Sequence, residues 1–252
     1  MTKRRAVAGA STAEPSLPGG QGGGAAGAGN ARRISVGRLW RVLWVPCRIA
    51  ASVFFDFRAY GVANVPPTGG CLLVCNHQSL LDPVFVAIHL PREVSYMAKI
   101  ELFAIPGFSR LIRALNAFPV RRGQADTAAI RETIQRLRAG AALTLFPEGT
   151  RTKTGDIGPI QPGIAMIVRR ARVPVVPVAI DGAFGAWPAG HRLPRPHPVR
   201  IMYGRPMDLA DLAPAAIVER IGQSLRAMLA ELRCSGRSAE VGFTQQSMGR
   251  HG

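Results

Sequence analysis

The chain is predicted to fold as an α/β protein, with a largely parallel central sheet flanked by helices and amphipathic helices ahead of it. Three observations point there. From Gly70 to Leu232 short β-branched runs alternate with amphipathic stretches, the pattern of strands and crossover helices around a parallel sheet. The 252 residues suffice for one domain with a sizeable core. Hydrophobic residues make up 47% of them, more than a solvated polymer carries.

In chain order, residues 1–33 are low-complexity, rich in Gly, Ala, Pro and Ser, and read as a flexible basic tail. They hold no apolar run long enough for a signal-peptide core, so export is not expected. Residues 34–60 change character. The stretch VGRLWRVLWVPCRIAASVFFDF is apolar and aromatic, yet carries Arg38, Arg41 and Arg48, which argue against a simple transmembrane helix. On a helical wheel these arginines and Ser52 share one narrow face, while Leu39, Trp40, Leu43, Trp44, Val53 and Phe54 cover much of the rest. A helix lying among lipid headgroups has this pattern, its arginines reaching for phosphates. Packing of the same helix on its own domain is the other reading. Pro46 should kink it or divide it in two.

Residues 61–233 form the expected α/β domain. Strands are predicted at Cys71–Cys75, Val94–Ala98, Phe118–Val120, Ala142–Phe146, Val173–Ile180 and Val199–Tyr203. Helices are predicted at Ser79–Leu90, Phe108–Leu115, Thr127–Arg138, Gly163–Ala171 and Pro214–Leu232. Residues 234–252 are polar and glycine-bearing, and read as a disordered tail. Cys47, Cys71, Cys75 and Cys234 form neither a metal spacing nor a paired framework. Cys71 and Cys75 read as small buried hydrophobes in a reducing compartment.

Lys and Arg number 32 against 15 Asp and Glu, a net charge of +17, which favours nucleic acid, an anionic membrane or phosphorylated ligands. Against nucleic acid, the cations are scattered, aromatics are only 6%, and no binding motif occurs.

Three segments at predicted strand ends carry chemistry, and in such sheets ligands bind at the carboxyl ends of the strands. Asn76-His77-Gln78-Ser79-Leu80-Leu81-Asp82 offers a histidine able to take a proton from a hydroxyl near neutral pH. A carboxylate that fixes its tautomer improves it. Ser79 to Asp82 is also a capping box, a structural account of the same aspartate. Phe146-Pro147-Glu148-Gly149-Thr150-Arg151 pairs a glycine that lets backbone approach a ligand with an arginine that grips phosphate. Glu148 binds a ligand hydroxyl or holds Arg151 in place. Phe118-Pro119-Val120-Arg121-Arg122-Gly123 ends in two arginines, an anion site or a solvated pair.

Together these segments resemble the 1-acylglycerol-3-phosphate acyltransferases, within the wider glycerolipid acyltransferase superfamily. NHQSLLD is similar to the family's NHxxxxD block, FPVRRG to the second, FPEGTRT to the third and VPVVPVAI to the proline-bearing fourth. The resemblance runs from about Val62 to Tyr203, and Tyr96–Phe103 looks like the family's linking stretch. It implies His77 as general base with Asp82 as its partner. Glu148, Gly149, Thr150 and Arg151 would hold the glycerol phosphate together with Arg122 or Arg121. Lys99 would also bind substrate, and Pro177 would shape the acyl-donor side of the cleft. Gln161-Pro162-Gly163 departs from the pattern, since many members have a basic residue before that glycine.

The implied activity is transfer of a fatty acyl group from acyl-CoA or an acyl carrier protein to the sn-2 hydroxyl of lysophosphatidic acid. A thioester is already activated, so no metal or redox cofactor is expected. Expected partners are membrane lipids, the lysophospholipid acceptor and the acyl thioester, with no nucleic acid; the expected place is the cytoplasmic face of the cell membrane. Glycerol-3-phosphate, another lysophospholipid or lyso-ornithine lipid are alternative acceptors. A lipid-binding module without activity is a further alternative, against which the retention of both His77 and Asp82 speaks.

Overall fold

The computed structural model describes residues 38–121, 126–188 and 190–248. All belong to the unit that runs from Ile34 to Gly252. Its centre is a seven-stranded sheet. The strands are β1 (Arg58–Tyr60), β2 (Cys71–Cys75), β3 (Val94–Lys99), β4 (Ala117–Val120), β5 (Ala142–Leu145), β6 (Val175–Asp181) and β7 (Arg200–Tyr203). Their order is β1-β7-β6-β2-β5-β3-β4, and every pair is parallel except β6 with β7. The expected largely parallel sheet is therefore present. β2 lies between β5 and β6, with Leu73 opposite both Thr144 and Val176. All five of its residues are buried, which is why CLLVC is an unbroken apolar run. Because β2, β5 and β6 are adjacent and parallel, the segments that follow them emerge at one edge.

Helices cover both faces. They are α1 (Arg38–Phe55), α2 (Asp82–Ala87), α3 (Phe108–Ala114), α4 (Thr127–Arg138), α5 (Gly163–Ala171), α6 (Ala183–Ala186) and α7 (Pro214–Met248). One core layer gathers Phe57, Phe85, Leu90, Val178, Ile180 and Tyr203 beneath α1 and α2. The other joins Leu137 of α4, Ile164 and Val168 of α5, and Ile217, Ile221 and Leu225 of α7. α4 starts where expected because the Asp126 side chain accepts the Ala129 N–H at 3.0 Å. Cys71 and Cys75 are buried in the first layer, as read from the sequence, and burial pushes the Cys75 thiol well above its ordinary value.

β1 and α6 were not expected, and three expected elements differ in extent or continuity. α2 starts at Asp82, not Ser79, because the N–H groups of Gln78 and Ser79 turn toward the Asp82 carboxylate. Of the two outcomes expected at Pro46, division does not occur: α1 continues through it as one helix. α7 runs to Met248 where a tail was expected from residue 234, and no proline follows Pro214 to stop it.

α1 packs on its own domain along one face only. Cys47, Ala51 and Phe55 meet the core, with the Phe55 ring edge-on to Phe85 at 5.4 Å. Arg48 lies 4.5 Å over the Trp44 ring. The opposite stripe, Val42, Val45, Ile49 and Val53, is apolar and exposed, as is Phe54. The side chains of Arg38 and Arg41, invoked above for lipid phosphates, lie outside the described residues. No helix among the described residues is long and apolar enough to cross a membrane.

Candidate active site

The turn after β2 is fixed residue by residue. The Asn76 side chain takes both backbone groups of Ile180: its Oδ1 accepts the N–H at 2.8 Å and its Nδ2 donates to the carbonyl at 2.9 Å. That pins the end of β2 to β6. Gln78 donates to the Gly155 carbonyl at 2.8 Å and accepts the Phe184 N–H at 3.1 Å. Ser79 Oγ donates to the Trp187 carbonyl at 3.0 Å. Asn76 and Gln78 carry no role in the sequence reading, and Ser79 only that of a cap; polar residues directly after an apolar strand were the available signal.

Between these anchors His77 Nδ1 lies 2.8 Å from Asp82 Oδ2. The same oxygen accepts the N–H of Gln78 at 2.6 Å and of Ser79 at 2.7 Å. Asp82 thus reaches back to Ser79 as a capping box requires, but Ser79 is not the cap of α2, and the carboxylate holds the imidazole as well. The Asp82 side chain is fully buried and that of His77 is 6% exposed. Burial pushes the Asp82 carboxyl up, while the His77 ring and the two N–H donors draw it back without cancelling the rise. With Nδ1 facing the carboxylate, the neutral imidazole carries its lone pair on Nε2. The ring stacks on Phe146, with centroids 4.1 Å apart and planes at 21°, so its orientation is held from two sides.

Glu148 completes the centre without holding Arg151. Its Oε1 accepts the His77 N–H at 2.8 Å and its Oε2 accepts the Gly158 N–H at 2.8 Å. No Glu148–Arg151 pair occurs among the described residues. Burial pushes the Glu148 carboxyl up, offset in part by those N–H donors. The Thr152 N–H in turn donates to the His77 carbonyl at 2.8 Å. The first and third sequence blocks are therefore one hydrogen-bonded object. Glu148→Gln should test it, since an amide replaces one acceptor oxygen with a donor facing a donor. We expect Tm to fall by about 4–8 °C, from roughly 2 kcal/mol of lost charge-assisted bonding. Any activity that depends on His77 should weaken with it, and an unchanged melting curve would contradict the role.

Beside this centre opens a cleft of about 730 Å³. Glu148, Gly149 and Thr150 line one side, and Met97, Ile130 and Ile164 give it an apolar wall. Gly149 has φ 72°, a left-handed turn that glycine enters without strain, and its N–H closes the turn on the Phe146 carbonyl at 3.1 Å. Arg151 is half-buried next to it. Arg121 is exposed at the end of β4, and its N–H donates to Asp126 Oδ2 at 2.9 Å. Arg122 lies outside the described residues. Lys99 ends β3 and pairs with Glu101 at 3.1 Å on the surface. Pro177 lies buried within β6, opposite Val74, and does not line this cleft. The structure thus joins His77, Asp82, Glu148, Gly149 and Thr150, with Lys99 and Pro177 apart from them.

Known proteins are similar to this chain. The model of the Acyltransferase family matches residues 56–181, half of its length. The 1-acyl-sn-glycerol-3-phosphate acyltransferase of Bacillus subtilis is 29% identical over 187 residues, covering 72% of this chain and 91% of that protein. The enzyme of that name from Pseudomonas aeruginosa is 27% identical over 75% of this chain and 72% of its own length. The chain spans 57% of the Cocos nucifera enzyme of that name, at 29% identity over 73% of this chain. The crystal structure of the 1-acyl-sn-glycerophosphate (LPA) acyltransferase PlsC from Thermotoga maritima superposes with a TM-score of 0.69 at 28% identity, covering 77% of this chain and 80% of that one.

Proposed function

Since the chain belongs to the acyltransferase family, we propose that it moves a fatty acyl group from an acyl thioester to the sn-2 hydroxyl of lysophosphatidic acid, giving phosphatidic acid. The observation that carries this reading is the His77–Asp82 pair, 2.8 Å apart and buried, bonded through Glu148 to the loop whose Gly149 and Thr150 line the cleft. The names of the relatives support the acceptor.

In this mechanism His77 Nε2 takes the proton of the acceptor hydroxyl as its oxygen attacks the thioester carbonyl. The imidazolium that forms is stabilised by Asp82, which stays ionised. The tetrahedral oxyanion then collapses, the C–S bond breaks, and the thiolate leaves with the proton from His77. One ester forms and one thioester is lost. Arg151 supplies the charge for the acceptor phosphate, with Arg121 or Arg122 as the second cation. Acyl-CoA and an acyl carrier protein both provide the thioester.

The exposed stripe of α1 supports work at a membrane surface, which we place at the cytoplasmic face of the cell membrane. Apolar Val42, Val45, Ile49 and Val53 would enter the headgroup region while Cys47, Ala51 and Phe55 hold the core.

The direct test is acyl transfer from a radiolabelled acyl thioester to detergent-dispersed lysophosphatidic acid. Labelled phosphatidic acid is expected. Transfer to another lyso-lipid, with none to lysophosphatidic acid, would replace the acceptor and keep the chemistry. Arg151→Ala should raise KM for the phosphorylated acceptor by about 10–100-fold, the worth of a charge-assisted hydrogen bond to phosphate. An equal loss with a monoacylglycerol acceptor would remove the phosphate from its role.

A further inference from the structure

The segment after β6 carries a surface that the chemistry above does not use. Gly182 ends β6 with φ 85°, and a Cβ there would meet the Pro198 carbonyl oxygen at 2.0 Å, so the loop leaves and returns at one point. The loop is closed by its own bonds. Trp187 Nε1 donates to the His191 carbonyl at 2.8 Å, and the Arg195 N–H to the Ala186 carbonyl at 2.8 Å. Arg195 Nε donates to the Gly185 carbonyl at 2.6 Å. These hold Arg192, Leu193 and Pro194 at the tip. Leu193 is 79% exposed, more than any other large apolar side chain among the described residues.

Charge selects the partner. The cations Arg192 and Arg195 flank Leu193 in the sequence, with His191 and His197 beyond them, and no acidic residue occurs between Asp181 and Asp208. An apolar side chain set among cations suits an anionic bilayer surface, where the leucine enters the headgroup boundary and the cations meet phosphates. Pro194, Pro196 and Pro198 limit the backbone freedom that ordering would remove. Continuity points the same way. The Val199 N–H, at the foot of the loop, donates to the Phe55 carbonyl at 2.8 Å, and Val53 and Phe54 at that end of α1 are exposed.

We propose that residues 191–197 form a second contact with an anionic membrane, beside α1, and that this contact is tied directly to the catalytic turn. The tie consists of two bonds: Ser79 Oγ to the Trp187 carbonyl at 3.0 Å and the Phe184 N–H to Gln78 Oε1 at 3.1 Å. The bilayer is thereby set at a fixed position relative to His77, so that a lipid acceptor reaches the base without leaving the interface. The inference rests on the reading that the acceptor is a membrane lipid.

The test uses the full chain and the double variant Arg192→Gln/Leu193→Ser, which leaves the bonds of Trp187 and Arg195 in place. Co-sedimentation is measured with vesicles of phosphatidylcholine alone and of phosphatidylcholine with phosphatidylglycerol. Binding to the anionic vesicles should weaken by about fivefold or more, the effect of one cation at such a surface. Turnover of vesicle-borne acceptor should fall with it, and turnover of a short-chain monomeric acceptor should stay the same. Unchanged binding to anionic vesicles would overturn the contact, and so would an equal loss on the monomeric acceptor, which would make the loop part of the site instead. Variant-sensitive binding of RNA with vesicle binding unaffected would also overturn it. The sedimentation arm needs no turnover, so its outcome is separate from the identity of the acceptor.

Discussion

Replacing His77 with alanine is expected to lower the rate of acyl transfer by about 10²–10⁴-fold, the range for loss of a positioned general base. The protein should remain folded. The bonds that seat this residue run through its backbone, N–H to Glu148 and carbonyl from Thr152, and neither involves the ring. Asp82 loses one of three donors and keeps the N–H groups of Gln78 and Ser79. One missing donor to a buried acceptor costs about 1–3 kcal/mol, too little to account for such a loss through unfolding. Rates at saturating substrate and a circular-dichroism melt, measured on the same preparation, separate the two. A variant that keeps more than about a tenth of its activity would place the base elsewhere.

Asp82→Asn should produce a comparable loss by another route, on the order of 10³-fold, with no loss of stability at neutral pH. The amide oxygen can still accept from Gln78 and Ser79. Its NH₂ takes the place of Oδ1, so His77 Nδ1 keeps its acceptor, but the neutral amide no longer stabilises the imidazolium that forms on proton transfer. The stability sign follows from the carboxyl. Burial holds it above its ordinary value in the native state, so the native protein binds its proton more readily than the unfolded chain. Its contribution is fully present below the ordinary carboxylate range and is lost as pH rises through the elevated native value. A neutral amide has no such loss. The variant's Tm should therefore gain on the wild type as pH rises from acid to neutral. A Tm difference that moves the other way would mean that the ionised carboxylate stabilises the fold.

Much of this architecture was legible because local signals and burial agree. β2 is bounded as expected, since burial on both faces makes its five residues uniformly apolar. α4 and α5 also match residue for residue, one capped by Asp126, the other ended by Arg172 in the left-handed conformation. Legibility failed where long-range partners decide. Ser79 to Leu81 has helical composition, but the Ser79 N–H is claimed by Asp82 and its hydroxyl by the Trp187 carbonyl. From spacing alone Glu148 could as well hold Arg151; only the meeting of two loops gives it the N–H groups of His77 and Gly158. β1 has three residues, two of them exposed, and carries too little pattern to be seen. Polar composition after residue 234 suggested an end to α7, yet helical hydrogen bonds require no apolar face, and nothing there breaks them.

The bonding between the turn after β2 and the loop after β5 has a consequence for inheritance and engineering. His77 and Glu148 are 71 positions apart, yet the Glu148 side chain fixes the His77 N–H, and the His77 carbonyl holds the Thr152 N–H of the same loop. A chimaera of two relatives joined anywhere between them would bring together a turn and a loop shaped by different ancestors. Crossovers before Gly70 or after Gly158 leave the pair intact. Functional recombinants in a shuffled library should therefore cluster outside that interval, and the two motifs should travel through evolution as a single heritable unit.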